Sequence, residues 1–402
     1  MAHPAPAAVP KGTLSHNTDM PRPPVYLDHH ATTPVDRRVL DAMLPYFTGI
    51  FGNPASSTHE WGWKAQEAVD QARKQVAAAI GATSREIVFT SGATESNNLA
   101  VRGVADRAAA DRRHLIVSAI EHKSVLEVAH GLESQGWRVT YVPVERTGRV
   151  RVDAIERALG TGAALVSVMA ANNEIGSIQP LAEIAALVHA HGALLHTDAA
   201  QAVGKIPIDV EAMQIDLLSL TAHKIYGPKG CGALFIRRRV ELSPLLVGGG
   251  HERGIRAGTL NVPGIVGLGA ACTLACASMD EEAARVGALR DRLLEGLRGQ
   301  LTGVTVNGGL DDRLPNNLHV GFDGVDGESL LVGIGNIAVS TGSACSSATG
   351  EPSYVLQALL GADVPPAYVR FGLGRFTTSD EIDYAIESFV TVVRHLRDMA
   401  PV

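Results

Sequence analysis

Seven short apolar runs, spaced by longer helix-patterned segments, constrain this chain more than any other feature. They are "EIVFT" (86–90), "HLIVSA" (114–119), "WRVTYV" (137–142), "ALVSVMA" (164–170), "ALLHTD" (193–198), "IDLLSL" (215–220) and "ALFIR" (233–237). A half-solvated strand alternates apolar with polar residues. Continuous apolar runs separated by helices instead predict a mostly parallel sheet covered on both faces. Amphipathic stretches such as "KAQEAVDQARKQVAAAIG" (64–81), closed by a glycine, supply the covering helices. The expected fold class is α/β, with a seven-stranded sheet as its centre.

Beyond the glycine-rich "LVGGGHERGIRAGTLNVPG" (246–264) the pattern changes. A long helical region (265–300) leads to shorter strand candidates, "NNLHVGF" (316–322), "IAVST" (337–341) and "YVRFGL" (368–373). A last helix (379–399) opens on Ser379, read as its N-cap. The expected organisation is a disordered tail over 1–24, a large α/β domain over 25–275 and a smaller α+β domain over 276–402. The smaller domain carries a loop at about 338–352, and the segment 25–33 is expected to pack on it.

With 402 residues, 46% of them hydrophobic, two such bodies can each bury a core. Thirty-five basic against 42 acidic residues leave a net charge of −7, which gives no electrostatic footprint for nucleic acid. Four cysteines are too few for a disulfide framework in a chain this long. Cys272 and Cys276 lie on one helical face and read as a buried apolar pair rather than a zinc site, and no structural metal is expected. No run is long and apolar enough to span a membrane. The start, rich in proline and alanine, has no secretory pattern, so a reducing cytoplasm is the expected compartment.

Parallel α/β sheets bind ligands at the carboxyl ends of their strands. Here chemically loaded residues follow the strands repeatedly: "FTSGATESNN", "SAIEHKSV", "VMAANNEIG", "HTDAAQ" and "SLTAHK". Right-handed crossovers bring those ends to one edge. "SGATE" (91–95) can cradle a phosphate with backbone N–H groups and Thr94, although an ordinary helix cap would look the same. Asp198 ends a strand otherwise too apolar to want a carboxylate, and a structural hydrogen bond is its plain alternative. Lys224 stands one strand further on, between His223 and a glycine–proline turn. An acid, a lysine and a phosphate cradle on adjacent strand ends match the needs of pyridoxal phosphate. His122, after the second strand, is placed to stack on such a ring. No dinucleotide glycine fingerprint and no nucleoside-triphosphate loop is present.

"VSTGSACSSATGEPS" (339–353) places Cys345 among small and hydroxyl residues. A structural cysteine prefers apolar packing, so this one reads as an exposed thiol able to reach a substrate. Arg370 offers a planar fork suited to a carboxylate, although a structural arginine would look identical.

The motifs "YLDHHATTPVD", "FGNPAS", "FTSGATESNN", "NNEIG", "HKIYGPKG", "GGGHERG", "GTL", "GSAC" and "RFGLGRFTT" occur in one order, from residue 26 into the last helix. Together they resemble the NifS/IscS-type cysteine desulfurases, pyridoxal-phosphate enzymes of aminotransferase class V. The resemblance implies the type I fold of pyridoxal-phosphate transferases. It implies that Lys224 holds the cofactor aldehyde, that Asp198 pairs with the ring nitrogen and Gln201 with the ring oxygen, and that His122 stacks on the ring and moves protons. Ala93, Thr94, Thr221 and His223 would hold the phosphate, joined by Thr259 of a second subunit, hence a homodimer. Asn173, also at the cofactor, and Arg370 would bind the carboxylate of L-cysteine. Cys345 would take its sulfur as a persulfide and release L-alanine. That persulfide would pass to an iron–sulfur scaffold, there a transient iron–sulfur contact, or to a sulfur carrier such as one serving tRNA thiolation. Direct binding to nucleic acid or membrane is not implied.

The sequence departs from the family pattern at His30, Ala200, Thr221 and Ala222, and its short ending, "RDMAPV", leaves the acceptor open. Three other readings compete. Another enzyme of the same fold, such as a selenocysteine lyase or aminotransferase, would not need the thiol loop. A cysteine–histidine hydrolase would leave Asp198 and Lys224 unexplained. A non-catalytic sulfur-carrier subunit would not need both Lys224 and Cys345.

Overall fold

The computed structural model describes residues 24–342 and 353–399. Cys345, most of its loop and all but the last residue of the expected tail lie outside them. In chain order the strands are β1 (Val25–Tyr26), β2 (Ile87–Thr90), β3 (His114–Ser118), β4 (Arg138–Val142), β5 (Leu165–Ser167) and β6 (Leu194–Asp198). They continue as β7 (Leu217–Thr221), β8 (Gly232–Ile236), β9 (Val304–Val306), β10 (Asn317–Phe322), β11 (Ile337–Ala338) and β12 (Tyr368–Gly372).

The seven apolar runs become β2 to β8, one sheet in the order β2-β8-β7-β6-β5-β3-β4. Every pairing in it is parallel except those of β8, which runs against both β2 and β7. Alternate residues of each strand enter two different cores. Ile87, Phe89, Ile116 and Leu218 face one, with the helices Glu60–Ala78 and Val262–Ala277. Val88, Leu115, Val117 and Leu217 face the other, with Ala93–Ala105 and Lys123–Glu133. Both faces being covered is what the unbroken apolar runs require.

The helical region expected over 265–300 is two helices, Val262–Ala277 and Met279–Gln300, which meet at 72°. The Ser278 hydroxyl donates to Leu274 O at 3.0 Å, and Asp280, Glu281 and Glu282 open the second helix where its dipole favours acids. The bend lets the first helix bury Ile265, Leu268 and Cys272 in the sheet's core. The second then buries Val286, Leu293 and Leu297 in a separate core. The expected buried cysteine pair is not one: Cys272 is buried and Cys276 exposed. Four positions turn about 40° around the axis, enough at a helix end to pass from core to solvent.

The separate core is built on the antiparallel sheet β12-β10-β9 and the helix Ser379–Met399. That helix is capped one residue earlier than expected, by Thr378. The Glu381 N–H donates to the Thr378 hydroxyl at 3.3 Å, and the Thr378 N–H donates back to the Glu381 carboxylate at 2.8 Å. The strand expected over 337–341 is only Ile337–Ala338, paired in parallel with β1. Leu27 is buried beside it, and Asp28 bridges to Gly372. The residues after β1 then run toward the edge of the large sheet: the Thr33 N–H donates to His223 O at 3.0 Å.

Candidate active site

The carboxyl ends of β2, β3, β5, β6 and β7 open on one cavity of about 590 Å³. It gathers Ala93, Thr94, His122, Asn173, Asp198, Gln201, Thr221, His223, Lys224 and Arg370. Of the expected site residues among those described, only Thr259 stays outside, at an exposed loop position of the same chain.

The cradle forms where β2 ends. Gly92 has φ 152°, a conformation that favours glycine, and opens the helix Ala93–Ala105 with no side chain capping it. The first N–H groups of that helix therefore face the cavity unsatisfied by a cap. Gly232 of β8 passes so close that a Cβ there would lie 2.6 Å from the Gly92 Cα. The Ser91 N–H donates to Glu95 at 2.8 Å, and Arg256 pairs with the same carboxylate at 2.8 Å. Burial pushes Glu95 up, but Arg256 and Ser91 outweigh it and hold the carboxyl below its usual range.

Asp198 is buried at the end of β6. It accepts from Asn97 Nδ2 at 2.7 Å and from the Ala200 N–H at 2.9 Å. The other Asn97 hydrogen goes to Ser124 Oγ at 2.8 Å. That hydroxyl lies 2.8 Å from His122 Nδ1, which also accepts the Ser124 N–H at 3.1 Å and so caps Lys123–Glu133. With Nδ1 accepting, a neutral His122 carries its proton on Nε2. Burial lowers the His122 pKa, so the neutral ring is the form present.

Lys224 follows β7 on a single 3₁₀ turn, Ala222–Lys224. Its Nζ donates to the carbonyls of His30 and of Ala31, the latter at 2.8 Å. Burial, aided by the Arg370 guanidinium, lowers its pKa to about 8. His223 is lowered to about 4 by burial and by Lys224. Arg370 comes from β12. Its Nη1 donates to the carbonyls of Asn173 (2.9 Å) and Gly342, and its Nη2 to Asp28 at 2.7 Å. The fork is thus partly engaged within the chain. Its buried Nε and the buried Oδ1 of Asn173 have no hydrogen-bond partner among the described residues. Both residues line the cavity, where an unpartnered donor and an unpartnered acceptor call for a polar partner.

A model of the class V aminotransferases matches residues 25–385. The chain belongs to that family. This class V chain is 55% identical over 381 residues, 94% of each chain, to a protein of Anaeromyxobacter sp. (strain K) named "Cysteine desulfurase IscS". It superposes with a TM-score of 0.87 on a solved "NIFS-LIKE PROTEIN", 38% identical, with 93% of this chain and 100% of that one covered. Another solved relative, "SspA in complex with cysteine", is 37% identical with a TM-score of 0.78, covering 88% and 100%.

The cofactor of the family is pyridoxal phosphate, and the cavity fits it. The uncapped helix N-terminus, with Thr94, Thr221 and His223, suits the phosphate. The Asp198 carboxylate suits a protonated ring nitrogen, and Lys224 supplies a depressed amine. The sequence reading missed the residues that hold these groups: Asn97 behind Asp198 and His122, Asp28 behind Arg370, Arg256 behind Glu95, and the His30 carbonyl behind Lys224. All four stood inside quoted stretches, but nothing in their spacing pointed to these partners.

Proposed function

We propose that this chain takes the sulfur of free L-cysteine onto Cys345 and releases L-alanine. The observation that carries this reading is Gly342. It lines the cofactor cavity, its carbonyl accepts from Arg370, and it stands three residues before Cys345. Three residues span at most about 10 Å, so the chain length from Gly342 allows Cys345 to be delivered to a substrate held there.

Pyridoxal phosphate, when bound, supplies an aldehyde that joins the substrate amine and a ring that stores the electron pair left by the α-proton. The chain's own groups do the rest. Arg370 and Asn173, which line the cavity, would bind the substrate carboxylate. Lys224, its pKa lowered by burial, would hold the cofactor aldehyde, and its amine would carry the α-proton of the substrate. His122 shields one ring face and carries a proton on Nε2. The Cys345 thiolate then bonds to the substrate sulfur as the carbon–sulfur bond breaks. The net change is L-cysteine and a thiol to L-alanine and a persulfide.

The active form in this reading is a homodimer in the cytoplasm. Support comes from Thr259, exposed and away from its own cavity, and from exposed Phe47, Phe51, Trp61, Trp63 and Val247. The bend at Ser278 and the separate cores support a large domain over 25–275 and a small one over 276–402. An iron–sulfur scaffold or a sulfur carrier would receive the persulfide. The test is incubation with L-cysteine and a reductant, assaying alanine and sulfide in equal amounts. Lys224→Ala should lose the visible cofactor band, whereas Cys345→Ser should keep the band and release no sulfide. Normal sulfide release by Cys345→Ser would refute the mechanism.

A further inference from the structure

Behind the cofactor cavity lies a second, largely buried lysine that the reaction does not use. Lys205 follows β6 and donates from Nζ to Gln201 Oε1 at 3.0 Å. It lies at a small cavity with Lys224, Glu282 and Arg375, where the two cores meet. Gln201 itself lines the cofactor cavity.

The hydrogen bonds around Gln201 have only one consistent direction. Arg313 can only donate, and its Nη1 donates to Asn317 Oδ1 at 2.9 Å. The Asn317 amide nitrogen therefore faces the other way, toward Glu174 O at 2.9 Å and His30 Nε2 at 3.1 Å. His30 Nε2 accepts, so in the neutral ring Nδ1 carries the proton. It donates to Gln201 Oε1 at 3.0 Å. Burial holds His30 well below its ordinary pKa, which keeps the ring neutral. Lys205, a donor only while protonated, meets the same oxygen. With Oε1 saturated by two donors, Gln201 Nε2 is the end left over. One of its hydrogens goes to His30 O at 3.0 Å, and the other has no partner among the described residues.

We propose that Lys205 and His30 are positioning residues that lock the Gln201 amide so that its N–H, not its oxygen, meets the ring oxygen of bound pyridoxal phosphate. This rests on the reading that Gln201 meets that oxygen. Lys205 also sets a cation beside the imine-forming lysine. The charged or titratable groups sharing this environment are Lys224, Tyr226, His29, His30, His223, Glu282, Arg370 and Arg375. Burial first, then Lys224, depresses Lys205 to about 7, so it and Lys224 compete for charge.

The test is a pH titration of the visible band of the holoenzyme. Lys205→Met removes a donor to Gln201 and, below about pH 7, a nearby cation. Each loss favours the protonated cofactor, so the midpoint should rise by about one pH unit. Lys205→Arg should restore it. His30→Leu, which removes the second donor, should move it the same way and serves if Lys205→Met fails to fold. In the Gln201→Leu background, Lys205→Met should shift the midpoint less than it does alone. Lys205→Met and His30→Leu holoenzymes that titrate at the wild-type pH would overturn the proposal. A normal titration in Gln201→Leu would instead overturn the contact on which it rests, and wild-type protein with no band at all would overturn the cofactor reading.

Discussion

Glu174→Gln should change how the stability of the apo-protein depends on pH. Glu174 is fully buried beside Gly342 and Ser353, which flank Cys345 in the sequence. Its Oε2 accepts the Ser353 hydroxyl at 2.5 Å, and a Cβ at Gly342 would approach that oxygen to 2.6 Å. Its Oε1 has no hydrogen-bond partner among the described residues. Burial lifts the carboxyl from 4.5 to about 7, against the pull of Ser353, Arg370 and Lys123. The folded state therefore holds this proton more tightly than the unfolded state. Stability from this group is fully present below pH 4.5, falls as pH rises, and levels off above about 7. At about 1.4 kcal/mol per pH unit, the shift amounts to about 3 kcal/mol. Glutamine keeps the acceptor for Ser353 and cannot ionise. Urea unfolding of both apo-proteins at fixed protein concentration, from pH 5 to 8, should show the variant gaining most of that 3 kcal/mol relative to wild type. A stability difference that is the same at every pH would refute the assignment of a proton to this carboxyl.

Three further outcomes follow from the hydrogen bonds of the cavity. Asn97→Leu removes a charge-assisted hydrogen bond to Asp198, worth about 1.5–3 kcal/mol. Absorbance titration of apo-protein with pyridoxal phosphate should show affinity lowered about tenfold or more, and an unchanged Kd would contradict the role of Asn97. Arg256→Ala unties the partly exposed pair with Glu95, so the loss should be smaller, about 1 kcal/mol or fivefold in the same titration. Because Lys224 is lowered to about 8, covalent capture of the cofactor by apo-protein should accelerate as pH rises through 8 and level off above it. The growth rate of the visible band reads this out, and a rate that is flat from pH 7 to 9 would exclude a depressed amine.

What the sequence made legible and what it hid have separate physical causes. Strands are local: "ALLHTD" and "SLTAHK" each carry their own burial pattern, and each ends on the residue that does chemistry. Parallel order then brings Asp198 and Lys224 to one edge without any side-chain detail. The antiparallel turn of β8 between β2 and β7 was not legible, because an apolar run is the same read in either direction. The residues that hold the site in its charge state were hidden for a different reason. Asp28 meets Arg370 across 342 positions, and His30 meets Asn317 across 287. Those contacts exist because β1 pairs with β11 in the second core while the next few residues run back to the large sheet. The N-terminal segment thus belongs to both halves at once, and it delivers the carbonyl that Lys224 and Gln201 share. A substitution that loosens β1 from β11 should therefore disturb Lys224 without touching the large sheet, a coupling visible only once both cores are built.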